Sequence, residues 1–264
     1  MKQKFYDAAQ LVHSTMCLKS NCFINNQIIN ANQIVAIGDD ITSALHAAKL
    51  YFEIKKTYHC TPRILCVGGN GLLSKYTLKK TEGILLAYVL TSLNIPTENI
   101  VIVDNTTNTG ENVLAVAKKT QADTTTIWCC TKRMSLRLER TIQKQAPTLI
   151  SYYYVIEQNI YEVMRYYNCK GFLYGEPLFH ELASTLNRCE TYAGTYQAPL
   201  NIQITDELRE AANLLEQNFR LKLPNKNLKT LFQFIRLYFT IIFNKKLMIN
   251  DIELAIKEFK LHNL

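Results

Sequence analysis

TEGILLAYVLTSLNIPTENIVIVDNTTNTGEN, residues 81–112, carries a helix, a strand and a polar loop in one unbroken run. The spacing predicts a helix over 78–93, stopped by Asn94 and Pro96. Residues 99–103 predict a short strand, and 110–119 the next helix. Between them, Asp104 to Asn112 is polar throughout.

The same alternation extends in both directions. Residues 34–37 predict a strand ending at Gly38. Ile41, Ala44, Leu45, Ala48 and Phe52 then fall on one helical face. Residues 63–67 predict a second strand closed by Gly68-Gly69, 125–130 a fourth, 133–145 a helix and 149–156 a fifth strand. Strands alternating with helices of this length indicate βαβ units and a parallel sheet. The strands are apolar throughout rather than alternating, as expected where helices cover both faces. The expected fold is therefore α/β: a Rossmann-like parallel sheet of about five strands over 33–156, with helices on both faces. An N-terminal helix and an Asn-rich surface connection occupy 1–32.

A mainly helical region is expected over 157–264. Thr205 reads as an N-cap ahead of Asp206 and Glu207. Leu208, Ala211, Ala212, Leu215 and Phe219 form an apolar stripe, and Pro224 separates it from 228–243. Ile252, Ala255, Ile256 and Phe259 mark a last amphipathic helix. The region reads either as a small second domain or as a layer on the sheet.

The 264 residues are 48% hydrophobic and 20% charged, which excludes a disordered chain. Thirty Lys and Arg against 22 Asp and Glu give a net charge of +8. That balance favours anionic partners in general, such as nucleic acid, an acidic membrane surface or a phosphorylated small molecule. No nucleic-acid-binding module accompanies it. Eight cysteines include no Cys-x-x-Cys pair and no Cys/His group at zinc spacing, so neither a metal site nor a disulfide framework is expected. This points to a reducing compartment. The most membrane-like stretch, 231–243, contains Gln233 and Arg236 and falls short of the ~20 apolar residues of a spanning helix. With no secretory signal at the N-terminus, the expected location is cytoplasmic.

In an open parallel sheet, ligands bind beyond the carboxyl ends of the strands. Here those ends lead into Gly38-Asp39-Asp40, Gly68-Gly69-Asn70-Gly71, Asp104 to Asn112, and Thr131-Lys132-Arg133. The glycine loop lets backbone N–H groups approach a phosphate or carboxylate, although it matches neither the Walker nor the Gly-x-Gly-x-x-Gly pattern. It also reads as a plain strand-to-helix turn. Thr107, Asn108, Thr109, Glu111 and Asn112 suit recognition of a ribose or another polar ligand, while helix capping accounts for Thr109 and Glu111. Glu82 reads by itself as part of a solvated helical charge run. Arg133 and Arg137 share a helix face that either meets an anion or faces solvent. The five histidines fall outside these loops and read as surface or packing residues.

The ordered set Gly38-Asp39, Val67-Gly68-Gly69-Asn70-Gly71, Thr81-Glu82, Asn94-Ile95-Pro96, Asp104 through Asn112, and Arg137 resembles the YdcF-like family, which includes SanA and ElyC. The resemblance is densest over 81–112 and extends from 33 to 156. It implies a Rossmann-like domain with its site in the four loops. It carries over Gly68, Gly69, Glu82, Thr107, Asn108, Thr109, Glu111, Asn112 and Arg137 as site residues. S-adenosylmethionine binding in the family makes that molecule a candidate ligand. Two positions depart from the pattern: Ser43-Ala44-Leu45-His46 lacks an arginine that many relatives carry, and Met134 stands where many have a histidine.

The combined expectation is a protein that binds an anionic or nucleotide-like small molecule. Gly38, Asp39, Gly68, Gly69, Asn70, Gly71, Thr107, Asn108, Thr109, Asn112 and Arg137 would hold it. Glu82, Asp104 and Glu111 are the acid/base candidates for transferase or hydrolase chemistry. The rival expectation is a non-enzymatic interaction protein at the envelope or membrane surface, suggested by the basic, aromatic-rich C-terminal helices.

Overall fold

In the computed structural model, the described residues are 3–38, 40–69, 80–157, 176–219 and parts of 253–261. The chain divides into two compact units. One comprises Met1–Cys17, Gln158–Ala193 and Pro199–Asp251; the other comprises Leu18–Glu157, Gly194–Ala198 and Ile252–Leu264.

The larger unit contains the sheet. A small antiparallel hairpin comes first, β1 (Phe23–Ile24) and β2 (Gln27–Ile28). Its turn residues Asn25 and Asn26 both adopt left-handed backbone, with φ of 50° and 63°. Asparagine tolerates that conformation, which matches the twist of a two-residue hairpin. The Asn-rich connection is thus a hairpin, a structure that composition alone does not distinguish from a surface loop.

The main strands are β3 (Gln33–Ile37), β4 (Arg63–Val67), β5 (Ile100–Val103), β6 (Thr126–Thr131) and β7 (Ser151–Ile156). All are parallel, in the order β5-β4-β3-β6-β7. The crossovers are α2 (Thr42–Tyr58), α3 (Glu82–Ser92), α4 (Thr109–Lys119) and α5 (Lys132–Gln145). The expected Rossmann-like sheet is the observed one. Ile34 and Ala36 of β3 enter a core shared with Ala44, Ala48 and Leu50 of α2 and with Leu86 and Leu90 of α3. Val35 and Ile37 enter the opposite core, with Val113 and Val116 of α4 and Met134, Leu138 and Ile142 of α5. Because side chains alternate across a strand, β3 is apolar at each position from Ile34 to Ile37 and so serves both cores. Trp128 of β6 is fully buried and donates from Nε1 to Ser151 Oγ at 3.1 Å, which satisfies its one polar atom.

The helix expected from residue 78 begins later. Lys80 lies outside the helix, and 78–79 are outside the described residues. Thr81 caps the helix, accepting from the Ile84 N–H at 3.4 Å. The helix after β6 does not present a basic face to water: Arg133 is 3% exposed and Arg140 is 2% exposed. Arg140 Nε donates to the Ala198 carbonyl at 2.9 Å.

In the smaller unit, α1 precedes the hairpin, and α6 and α7 follow in the second half of the chain; the three are α1 (Gln3–Thr15), α6 (Glu176–Thr191) and α7 (Asp206–Phe219). Each of them touches the other two. Thr205 caps α7 through its Oγ1, which accepts from the Leu208 N–H at 3.2 Å, as its sequence position predicts. Arg209 forks onto both Glu190 oxygens, at 2.8 and 3.4 Å, joining α7 to α6. The segment 228–243 and the residues Ile252, Ala255 and Phe259 are outside the described residues. Among the described residues, no helix is long and apolar enough to cross a membrane.

Candidate functional site

Five parallel strands present all their carboxyl ends at one sheet edge. β4 and β6 flank β3 on opposite sides, so the chain winds away from β3 in two directions. Such a reversal opens the crevice in which doubly wound proteins hold ligands.

Gly38 and Gly68 continue the ladder past β3 and β4. The Gly38 N–H donates to the Val67 carbonyl at 2.5 Å, and the Gly68 N–H donates to the Val103 carbonyl at 2.9 Å. Both glycines abut Glu82. A Cβ on Gly38 would run into the Glu82 carboxylate and stand 2.8 Å from Glu82 Cβ. A Cβ on Gly68 would stand 2.8 Å from Glu82 Oε2 and 2.9 Å from its Cβ, on a backbone whose φ of +151° already disfavours any side chain. The two glycines therefore form a seat for this carboxylate. Glu82 is not part of a solvated charge run but is held against the ends of two central strands.

The first turn of α3 locks into the same notch. The Gly83 N–H donates to the Gly68 carbonyl at 2.6 Å, and the Glu82 N–H to the Gly69 carbonyl at 3.4 Å. Two N–H groups that a helix start leaves unpaired are thus satisfied by the loop. Thr81 Oγ1 also donates to Asp104 Oδ2 at 3.2 Å, which ties α3 to the end of β5. The Gly69 N–H donates to Thr106 Oγ1 at 3.1 Å. Gly38, Gly68, Gly69, Thr81, Glu82, Asp104 and Thr106 are thus linked by direct contacts.

The next loop closes on itself. Asn108 Oδ1 accepts from the Glu111 N–H at 3.0 Å. Glu111 Oε2 accepts from the Thr107 N–H at 2.7 Å and from Thr107 Oγ1 at 3.0 Å, while Asn108 Nδ2 donates to Glu111 Oε1 at 2.9 Å. This is a reciprocal capping arrangement at the start of α4, and Thr109 is the first residue of that helix. The Thr107 donors hold the Glu111 carboxyl below the usual range. An exposed acid already committed to three donors is a poor base, so Glu111 is better read as a cap than as an acid/base group.

Several buried side-chain atoms lack a partner among the described residues, and two of the acceptors, on Asp40 and Asn112, follow strand ends. Asp40 is 4% exposed; its Oδ1 accepts from the Thr42 N–H at 3.0 Å, and its Oδ2 has no partner. Asn112, in the first turn of α4, is 6% exposed and its Oδ1 has no partner. Burying an unpaired acceptor costs about 1–3 kcal/mol.

Lys132 Nζ pairs with Glu157 at 2.9 Å beyond the ends of β6 and β7. Arg137 is half-buried one turn after Arg133, on α5, which packs beside α4. Asp39, Asn70 and Gly71 are outside the described residues. Asp40, Thr81 and Thr106 lie within the loops and motif quoted from the sequence, but sequence reasoning singled out none of them as a site residue. Thr81 carried a signal, as a hydroxyl residue immediately before an apolar helix; Thr106 carried none. Among the described residues, no three His, Cys, Asp or Glu side chains form a group able to hold a metal ion.

Comparison with protein-family models, curated proteins and solved structures found no match.

Proposed function

We propose that this protein binds a nucleoside-like small molecule at the carboxyl edge of its sheet, in the manner of the YdcF-like proteins its sequence resembles. The observation that carries this reading is the pair of donor-poor acceptors, Asp40 Oδ2 and Asn112 Oδ1, at the edge that also seats Glu82. Buried acceptors without donors call for a ligand rich in N–H or O–H groups. Ribose hydroxyls and an amino group meet that need.

The charge pattern narrows the choice between the anionic and the nucleoside-like ligand. Asp40, Glu82, Asp104 and Glu111 follow the ends of β3, β4 and β5, while Lys132, Arg133 and Arg137 follow β6. The acidic side favours a molecule bearing a positive centre and several donors, and the basic side suits a carboxylate on the same molecule. S-adenosylmethionine has that chemistry, with a ribose, an amino group and a sulfonium. Bound there, it would supply an electrophilic carbon next to sulfur. Glu82 is the positioned carboxylate for a ligand donor, and Asp104, linked to Thr81, is the neighbouring one.

Isothermal titration calorimetry with S-adenosylmethionine tests the reading, together with native mass spectrometry of freshly purified protein. The expected result is saturable binding that weakens at least tenfold in Glu82→Gln, with the fold retained by circular dichroism. Equal affinity in wild type and Glu82→Gln would overturn the assignment of this carboxylate. Absence of any bound or binding nucleoside would overturn the ligand class.

A further inference from the structure

The two edges of the sheet are treated differently. At β7 the outer edge is covered by the chain itself. The Asn21 N–H donates to the Tyr153 carbonyl at 3.0 Å, and the Tyr153 N–H donates back to Asn21 Oδ1 at 2.6 Å. The Val155 N–H donates to Ser20 Oγ at 2.9 Å. At β5 nothing comparable is found among the described residues. The Val103 carbonyl faces β4, where it accepts from the Gly68 N–H, and the Ile100 N–H returns to the Thr97 carbonyl. Backbone groups alternate sides along a strand, so the N–H and C=O of Ile102 face outward.

This edge, open among the described residues, is also apolar. The strand reads Ile-Val-Ile-Val, without the lysine, proline or bulge that usually protects an edge. The Ile102 side chain is 43% exposed. The helix α3 beside it bears no charge from Gly83 to Ser92. Its outward side carries Ile84 and Leu85, half-buried, and Tyr88, 50% exposed. A helix that is apolar on all sides is normally buried on all sides.

We propose that β5 is a self-association edge, on which a second copy of this chain adds its own β5 antiparallel to form a continuous two-fold sheet. The symmetry fixes the geometry. A two-fold axis that extends a sheet must run perpendicular to it, so each residue pairs with one of the same facing. Centred on Val101, the register would pair Ile100 with Ile102 and would need the Ile100 N–H, which already donates to the Thr97 carbonyl. Centred on Ile102, it leaves that bond intact, and Ile102 exchanges both backbone hydrogen bonds with its own counterpart. The same axis keeps the α3 helices of both copies on one sheet face, with their uncharged sides adjoining. A four-residue strand with flanking apolar helix faces is self-complementary in a way that one copy alone does not use.

Sedimentation equilibrium of the full chain over about 1–100 μM tests this. The expected result is a mass twice the 30.4 kDa of one chain. Ile102→Lys sets two ammonium groups face to face on the axis, and should weaken dimerisation at least tenfold while leaving circular dichroism unchanged. Tyr88→Lys, on the helix, should weaken it as well. A single-chain mass for wild type across the range would overturn the proposal. So would a doubled mass that persists in both variants, since it would place any dimer elsewhere.

Discussion

Gly38→Ala is a sharp test of how Glu82 is held. The new methyl would meet the Glu82 carboxylate, Glu82 Cβ at 2.8 Å and the Val67 carbonyl at 2.9 Å. Overpacking of this kind costs about 1–3 kcal/mol. Restricting the unfolded chain returns about 0.4–1 kcal/mol. The net expected loss is about 1.3 kcal/mol. Glu82→Ala removes the nearest obstacle but leaves the Cβ and the carbonyl, so Gly38→Ala should then cost about 1 kcal/mol less. Such coupling is the signature of side chains in contact. Gly194→Ala is the control: its φ of +78° is strained, yet a Cβ there meets nothing within 4 Å, so its cost should not depend on residue 82. Urea unfolding followed by fluorescence of Trp128, the single tryptophan, reads the sheet-bearing unit directly. Additivity of Gly38→Ala and Glu82→Ala within about 0.3 kcal/mol would refute the seat.

Two further predictions concern buried polar groups. Burial, reinforced by Lys49, pushes the His46 pKa down to about 4, while its Nδ1 lies 3.2 Å from the Tyr154 hydroxyl. The folded value lies below the unfolded value of 6.5, so the unfolded chain binds the extra proton between those limits. Stability from this group is therefore complete above pH 6.5 and falls by about 3 kcal/mol as pH drops to 4. His46→Gln should remove that slope, and parallel urea-stability curves for wild type and variant across pH 4–7 would contradict it. Asn112→Leu replaces an unpaired buried acceptor with an apolar group of similar volume. Urea midpoints should hold or rise while calorimetric affinity for S-adenosylmethionine falls at least tenfold; a large loss of stability would show that Asn112 is already satisfied.

Element identity was readable because it is encoded at short range. β4 occupies the same five residues in sequence and structure, from Arg63 to Val67, because an apolar run bounded by Pro62 and Gly68 leaves little choice. Parallel pairing was readable too, since each strand from β3 to β6 is followed by a helix of crossover length. The hairpin at 23–28 escaped notice because each of its strands has only two residues, too few to show a period. The burial of Arg133 and Arg140 was unreadable for another reason. Spacing places them on a helix, but only the neighbours supplied by the fold, such as the Ala198 carbonyl, decide whether that side is wet.

The candidate site divides along the same line. The capping loop from Thr107 to Glu111 is local, and its residues explain one another within a single turn. They are accordingly the part of the proposed site that least needs a ligand, although they are the densest part of the motif. Gly38, Gly68 and Glu82 are the reverse case. Nothing within ten residues of any one of them requires the other two; only the sheet order brings β3 and β4 side by side and sets the start of α3 against their ends. A carboxylate held between two strand termini by the absence of side chains is expensive to arrange for stability alone, because alanine at Gly38 and a smaller residue at 82 would fill the same space without a charge. That argument makes Glu82, rather than the more conspicuous Thr-Asn-Thr-Gly-Glu-Asn loop, the first position at which loss of binding should separate from loss of fold.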